Sequence, residues 1–497
     1  MARNRQNEDT GFPAFTGRET ELEKLKGLWR RKKGALVVCI GRRRIGKSRL
    51  MKEFGQEHAE AYLEIQGLAP RSGQQNEDQL AHFGEKLAGF MGLEEPIPLR
   101  SWTQAFTLLA QAVPQGKRTV VLLDEISWLG KHDRDFAGKL KEAWDTRFSL
   151  LPNLVLVVCG SVSAWIDENI LRSTGFMDRP ALRLQLGELP LDACNKMVWG
   201  RKQQVSMMEK LRMLAVTGGV PRYLEELDPT QSSAENLKRL CFDPAGPLFR
   251  SRDGLSEFEM IFDEVFQSRA ETYRNIVLAL LSGAKTLSEI SEAMGKVRSG
   301  NLSAYLHDLE LAGYLREEPH FAIGGGARKI SHFRLRDNYM RFYLKYIEPK
   351  RKAIAQGTLE NLSLEDLRGW NSLLGLQFEN LVLNNQAAVE KRLGLDGKVL
   401  QAGPYRQSKT QRRRGCQIDL LLETEHSLYL CEMKLRQSIG TEVIDEVSEK
   451  LQRLSLPRSQ KHLNKFPVLI YAGEVEPGLQ RSDFFRKMID FGELLKK

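Results

Sequence analysis

The sequence predicts a multidomain α/β protein whose first part is a parallel sheet covered by helices on both faces. Three observations carry this reading. Apolar runs of strand length, Ala35 to Ile40, Thr119 to Leu123 and Asn153 to Val158, each end in polar residues. Helical text such as Asp135 to Phe148 separates them, and a mix of strands and helices returns from about residue 370. Strands that are apolar throughout and alternate with helices belong in a sheet buried on both sides.

A chain of 497 residues suggests two to four domains. Hydrophobic residues at 41% and charged residues at 28% describe a soluble globular protein and exclude a disordered or fibrous one. The apolar runs fall far short of the roughly 20 residues that cross a bilayer, so no membrane partner is expected. The charged start lacks an apolar h-region, so no secretory signal is expected either. Cys39, Cys159, Cys194, Cys241, Cys416 and Cys431 are scattered with no C-x-x-C pair, which predicts reduced thiols, a cytoplasmic location and no zinc site. The net charge of +10 favours a polyanion as partner.

In order along the chain, residues 1–14 read as a polar tail and Arg18 to Trp29 as an amphipathic helix. The strand Ala35 to Ile40, a Gly-rich turn and a helix from Lys47 to Gln56 follow, within a unit spanning 15–190. Residues 191–260 read as helices, including Ser206 to Ala215 and Pro221 to Leu227. A third unit covers 261–348, a charged linker 349–369, and a last unit 370–497.

The turn Gly41-Arg42-Arg43-Arg44-Ile45-Gly46-Lys47-Ser48 fits G-x-x-x-x-G-K-[ST] directly after a buried strand, the setting that a phosphate-binding P-loop requires. Its glycines let backbone amides curl around phosphate oxygens. Lys47 reaches the β and γ phosphates of ATP, Ser48 offers a hydroxyl to Mg²⁺, and the helix that continues through Arg49 adds its positive end. Asp124 and Glu125 end the second apolar run; Asp124 is assigned to Mg²⁺ and Glu125 to activation of the attacking water, against the alternative of a helix cap. Ser161, after the third run, is read as a phosphate sensor or as an ordinary turn residue. Arg179 is either a charge-stabilising arginine, in cis or from a second copy, or a surface ion pair.

The segments Phe15 to Leu25, the loop, Leu122 to Glu125, Cys159 to Ser161 and Gly218 to Leu224 together resemble the prokaryotic AAA-related ATPases of the STAND group, in particular the archaeal-type ATPases. The likeness covers roughly the first half. It implies that Phe15 and Arg18 border the adenine and that 191–260 is a helical lid whose Pro221 and Arg222 report nucleotide state.

In the third unit, Thr286 and Glu289 form a capping box opening a short helix that Gly295 ends. A second helix runs from an N-cap at Ser299 to Ala312, followed by a strand at Tyr314 and a Gly-rich hairpin around Ile323 to Lys329. That order is the order of a winged helix. Lys296, Arg298 and Asn301 would meet DNA at the start of the second helix, with Arg328 and Lys329 on the wing. The alternative is a packing module.

The last unit carries two apolar strands joined by a short turn, with Asp419 on the first and Glu432 and Lys434 on the second. Alternation sets Glu432 and Lys434 on one face, a costly placement for buried charges unless they work together. The arrangement resembles the PD-(D/E)XK nucleases, which have a restriction-endonuclease-like fold. The resemblance implies that Asp419 and Glu432 hold Mg²⁺ or Mn²⁺, that Lys434 positions or activates water, and that Glu379 joins them from a preceding helix. No Pro precedes Asp419. The stretch from Arg406 to Arg414, with Arg406, Lys409, Arg412, Arg413 and Arg414, has no acid and reads as a duplex-DNA surface or a solvated loop.

Together these readings describe a Mg²⁺-dependent ATPase that regulates a DNA nuclease domain, a pairing that the resemblance ties to defence or mobile-element biology. A DNA-binding switch that does not cut and a platform that binds protein partners are the rivals.

Overall fold

The computed structural model describes residues 15–161, 163–200, 204–249, 258–259, 261–262, 269–295, 299–326, 330–359, 362–411 and 414–497. The expectations for residues 1–14 and for Lys296, Arg298, Arg328, Lys329, Arg412 and Arg413 lie outside the described residues. The chain divides into two compact units, one formed by 15–188 with 311–313, the other by 189–310 with 314–497. No described helix is long and apolar enough to cross a membrane.

The first unit is a five-stranded sheet of β1 (Ala35–Gly41), β2 (Ala61–Gln66), β3 (Thr119–Asp124), β4 (Leu154–Gly160) and β5 (Pro180–Leu186), in the order β2-β3-β4-β1-β5 and parallel throughout. Alternation sorts the strand residues into two cores. Leu36, Val38, Val121, Leu123, Leu156 and Val158 face the helices Asn76–Met91, Trp102–Ala112 and Phe136–Thr146. Val37, Cys39, Val120, Leu122, Val157 and Cys159 face the helices Glu19–Gly27 and Lys47–His58. Each fully buried Val or Leu contributes roughly 1.5–3 kcal/mol, so this sheet is held by its sandwiched faces and has no solvated side. All six cysteines are free and buried.

The second unit begins with helices Leu191–Val198, Met207–Thr217, Pro221–Leu224 and Ser233–Leu237. Ser206 caps the second of these by accepting the Glu209 amide. Next comes a small antiparallel sheet in the order β6-β8-β7, from β6 (Lys285–Thr286), β7 (Leu315–Pro319) and β8 (Ser331–Leu335). Helices Ala270–Ala279, Leu287–Ala293 and Ser299–Leu311 accompany it. The capping box of Thr286 and Glu289 is formed in both directions, and Gly295 follows that helix at φ 75°. Ser299 is the first residue of the next helix and not its N-cap, which corrects the sequence expectation by one position.

The expected linker also needs correction. Arg351–Ala355 is a helix with Ile354 buried, preceded by a 3-10 turn at Glu348–Lys350. Long basic side chains at 350–352 lie over the surface while one apolar residue packs inward, so the composition mimics a solvated connector.

The chain ends in a mixed sheet in the order β13-β12-β11-β10-β9, from β9 (Gln401–Gln407), β10 (Cys416–Glu423), β11 (Ser427–Ile439), β12 (Asn464–Val475) and β13 (Lys487–Asp490). β10 and β11 form the expected hairpin, with Glu423 opposite Leu428, and β12 and β13 add in parallel. Helices Trp370–Asn384 and Glu442–Arg453 flank the sheet.

Candidate functional site

The loop after β1 owes its path to a few backbone positions. Gly41 has φ 149°, and a Cβ there would stand 2.6 Å from the Leu186 carbonyl oxygen, so only glycine fits. Gly46 turns at φ 89° to start the Lys47–His58 helix, and Arg44 sits at φ 65°, a conformation that costs a non-glycine residue about 1–2 kcal/mol. Ile45 is buried in the core and its carbonyl is held by Arg18 at 3.1 Å. That arginine, 5% exposed, also donates to the Gly187 carbonyl at 2.7 Å. Arg18 therefore ties the loop to the segment after β5, a role the sequence did not suggest. Phe15 packs against the same core.

Lys47 is buried and its ammonium donates to the carbonyls of Gly41, at 2.9 Å, and Arg42, at 3.1 Å. Arg42 is buried, Arg43 and Arg44 half-buried, and Arg49 exposed. Ser48 Oγ donates to Asp124 Oδ2 at 2.5 Å, which joins the first helical turn to the end of β3. Glu125 is a second left-handed residue, at φ 47°. Its amide donates to Asp124 Oδ1 at 3.0 Å, and its carboxylate accepts the Ser161 amide at 3.0 Å and the Ser161 hydroxyl at 2.9 Å. Ser161 thus positions Glu125 directly.

Backbone amides at a helix start, a lysine held on neutral carbonyls, and a hydroxyl beside a carboxylate suit a nucleotide polyphosphate with its magnesium ion. Ser48 and Asp124 are the residues that would hold the ion. Arg179 makes a two-pronged ion pair with Asp145, at 2.6 and 2.9 Å, so among its two readings the surface ion pair is the one observed. In the second unit, Arg222 is paired with Glu225 and Glu226, beside Pro221 at the start of its short helix.

Residues 15–227 match the family model described as an ATPase domain predominantly from Archaea. The matched segment has a P-loop ATPase fold. An uncharacterized protein of Methanocaldococcus jannaschii is 23% identical over 419 residues, covering 82% of this chain and 84% of that one. An uncharacterized ATP-binding protein of the same organism is 43% identical over 44 residues, 9% of this chain and 75% of that one. Among solved structures, a Walker-type ATPase of Pyrococcus abyssi is similar with a TM-score of 0.48 and 16% identity, over 66% of this chain and 96% of that one. None of these likenesses extends the ATPase domain's reading to the terminal sheet.

The terminal sheet gathers the other predicted residues. Asp419 on β10 accepts the Met433 amide of β11 at 2.9 Å. Burial and the neighbouring Glu432 push its carboxyl up to about 6. Glu379, on the Trp370–Asn384 helix, is pushed up to about 7 by burial and then by Asp419 and Glu432. Glu432 is 4% exposed and has a lysine on each oxygen: Lys434 at 2.9 Å from Oε1 and Lys450 at 2.5 Å from Oε2. Lys434 reaches Glu446 as well, at 2.6 Å. Burial opposes the Lys434 ammonium, but Glu446 and Glu432 outweigh it and hold its pKa above the ordinary value.

Lys450 and Glu446, both on the Glu442–Arg453 helix, are the residues that sequence reasoning missed. Their spacing of four puts them on one helix face. Three carboxylates are hard oxygen donors of the type that divalent cations take. As they stand they do not fit a resident ion, because both Glu432 oxygens are bonded to lysines. Among the described residues no group of three or more His, Cys, Asp or Glu is arranged to hold a metal. This corrects the expectation that Asp419 and Glu432 form a ready metal site.

Beside the cluster, Arg406, Gln407, Ser408, Gly415, Cys416, Gln417, Lys450 and Arg453 line a hollow of about 410 Å³. Arg406 also pairs with Glu318 at 3.1 Å, while Lys409 and Arg414 are exposed.

Proposed function

We propose that the chain is a Mg²⁺-dependent ATPase whose nucleotide state regulates a C-terminal nuclease-like domain acting on duplex DNA. The observation that carries this reading is the convergence of Glu379, Asp419, Glu432 and Lys434, from one helix and two strands, beside a basic hollow. In the ATPase domain, Lys47 and the loop amides bind the phosphates, with Arg42, Arg43, Arg44 and Arg49 adding positive charge. Glu125 takes the proton of the attacking water, and Ser161 holds its carboxylate in place. The magnesium ion neutralises phosphate charge when bound.

Regulation is supported by how the second unit is wired. Asn338 donates to the Leu214 carbonyl of the Met207–Thr217 helix at 3.2 Å, and Gln377 donates to the Asn338 carbonyl at 2.7 Å. Buried Arg341 donates to Gln377 at 2.6 Å, and Arg334 to Asn380. Gln377 and Asn380 lie on the helix that carries Glu379. A shift of the Met207–Thr217 helix in response to nucleotide, sensed by Pro221 and Arg222, would therefore reach the carboxylate cluster through buried polar contacts. Such contacts are costly to break and transmit displacement. The small antiparallel sheet with its three helices is read as a winged helix, with exposed Asn301 on its DNA-facing helix.

The test is plasmid cleavage with ATP and Mg²⁺ or Mn²⁺ varied independently. Asp419→Ala and Lys434→Ala should abolish cleavage and leave ATP hydrolysis intact. The two lysines on Glu432 favour a second reading, a DNA-binding ATPase switch that does not cut. It wins if DNA binds with a steep salt dependence and no condition yields cleavage. Absence of any DNA binding would favour a platform for protein partners.

A further inference from the structure

We propose that the basic hollow beside the terminal sheet is a phosphate subsite, in which Arg406 and Arg453 hold a backbone phosphate of duplex DNA without a metal ion. The inference rests on the reading of the terminal sheet as a nuclease-like domain that acts on DNA, and it names the residues that hold the strand.

Three cations line the hollow, Arg406 from β9 and Lys450 and Arg453 from the Glu442–Arg453 helix, and no carboxylate lines it. Its walls are fastened by one buried side chain. The Gln407 amide donates to the carbonyls of Arg414, at 2.6 Å, and Arg453, at 2.8 Å, and accepts the Ser455 amide at 3.1 Å. The strand that carries Arg406 is thereby tied to the end of the helix that carries Arg453, so the two guanidiniums are held at a fixed spacing before any ligand arrives.

Each arginine has donors to spare. Arg406 uses one terminal nitrogen on Glu318, at 3.1 Å, and Arg453 uses one on Glu449. A guanidinium carries more N–H donors than one carboxylate oxygen takes up, and its planar fork matches phosphate oxygens. Glu318 is shared with Arg334, at 2.6 Å, so one carboxylate answers two guanidiniums and positive charge is left over at Arg406. Lys450 stays on Glu432 and contributes only its field. Positive charge also continues outside the hollow, where Lys409 and Arg414 are exposed next to the lining residues Ser408 and Gly415. A ligand with repeated phosphates meets that continuation, and a single small anion does not. Because Lys450 borders both places, a strand seated in the hollow passes beside the carboxylate cluster.

The experiment follows binding of a short fluorescein-labelled DNA duplex to the full chain by fluorescence anisotropy across a salt series, with EDTA and without nucleotide. Wild type is compared with Arg453→Gln, Arg406→Gln, Arg453→Lys and a control at an exposed lysine outside the hollow, Lys398→Gln. The pair of Arg453 and Glu449 lies near the surface, so Arg453→Gln keeps the fold even if Arg406→Gln loosens Glu318. Loss of a phosphate contact should weaken binding about tenfold in each glutamine variant. It should also make the slope of log affinity against log salt shallower by about 0.9. Arg453→Lys should restore the slope, and Lys398→Gln should match wild type. Equal affinity and slope in wild type and both glutamine variants, or the same loss in Lys398→Gln, would overturn the subsite and leave the nuclease-like reading standing. Inorganic phosphate should displace the duplex only where sodium chloride of equal ionic strength does; displacement well below that would mark a site for the free ion and overturn the assignment to a strand. No duplex binding by wild type at low salt would overturn both the subsite and the reading it rests on.

Discussion

Lys47 in the ATPase domain and Lys450 in the terminal sheet are both lysines poised near acidic groups, yet they rest on different partners. Lys47 lies on two backbone carbonyls, so its charge remains available to an incoming phosphate. Lys450 is spent on Glu432, and Lys434 on Glu432 and Glu446. A carbonyl dipole yields to a phosphate far more readily than a carboxylate does. The phosphate loop therefore keeps its positive charge open to an anionic ligand, whereas the carboxylate cluster is neutralised from within.

The largest effect expected is from Lys47→Ala, which should weaken nucleotide binding and turnover on the order of 10²–10³-fold in a titration with labelled ATP. Unchanged affinity would mean that the lysine is not available as argued. Glu125→Gln should keep nucleotide affinity and slow hydrolysis by about 10²-fold in a phosphate-release assay.

The cluster should respond to pH. Glu379 has its carboxyl raised from 4.5 to about 7, so its contribution to stability is fully present below about 4.5 and is lost as the pH rises through about 7. Glu379→Gln, which cannot ionise, should melt several degrees higher than wild type at pH 8, and the difference should vanish near pH 4.5. A constant difference across that range would show that Glu379 is not held in an unfavourable charged state. The smallest effect expected is from Arg179→Ala, which removes an ion pair at the surface and should change stability by no more than about 1 kcal/mol and leave ATP turnover unchanged. A large loss of turnover would return Arg179 to the catalytic set.

The same contrast explains what the sequence disclosed. The phosphate loop is contiguous, and its strand, glycines and helix are spelled out by spacing from Ala35 to Arg49. Arg18 escaped that reading because its partner Gly187 is 169 residues away and is a backbone carbonyl with no sequence signature. β5 escaped because it is an edge strand with only two of its seven residues buried, unlike the continuous apolar runs of its neighbours.

At the cluster, the hairpin and the Glu432-Met433-Lys434 spacing were legible through period-2 alternation. Glu379 was suggested only by resemblance, since nothing local says that its helix crosses the sheet there. Lys450 and Glu446 belong to a helix with polar residues on more than one face, and packing decides which face meets β11. Their spacing of four after the hairpin was the available signal. Lys450, together with Lys434, takes up both Glu432 oxygens, which is why the carboxylates as they stand do not make a metal site.

The most direct test of the account compares plasmid cleavage by Glu125→Gln, held with ATP bound, and Lys47→Ala, which does not retain nucleotide, at one Mn²⁺ concentration. If nucleotide state regulates the terminal domain, the two variants cleave at clearly different rates, and adding ATP changes cleavage by wild type but not by Lys47→Ala. Equal cleavage by both variants, unaffected by ATP, would contradict it.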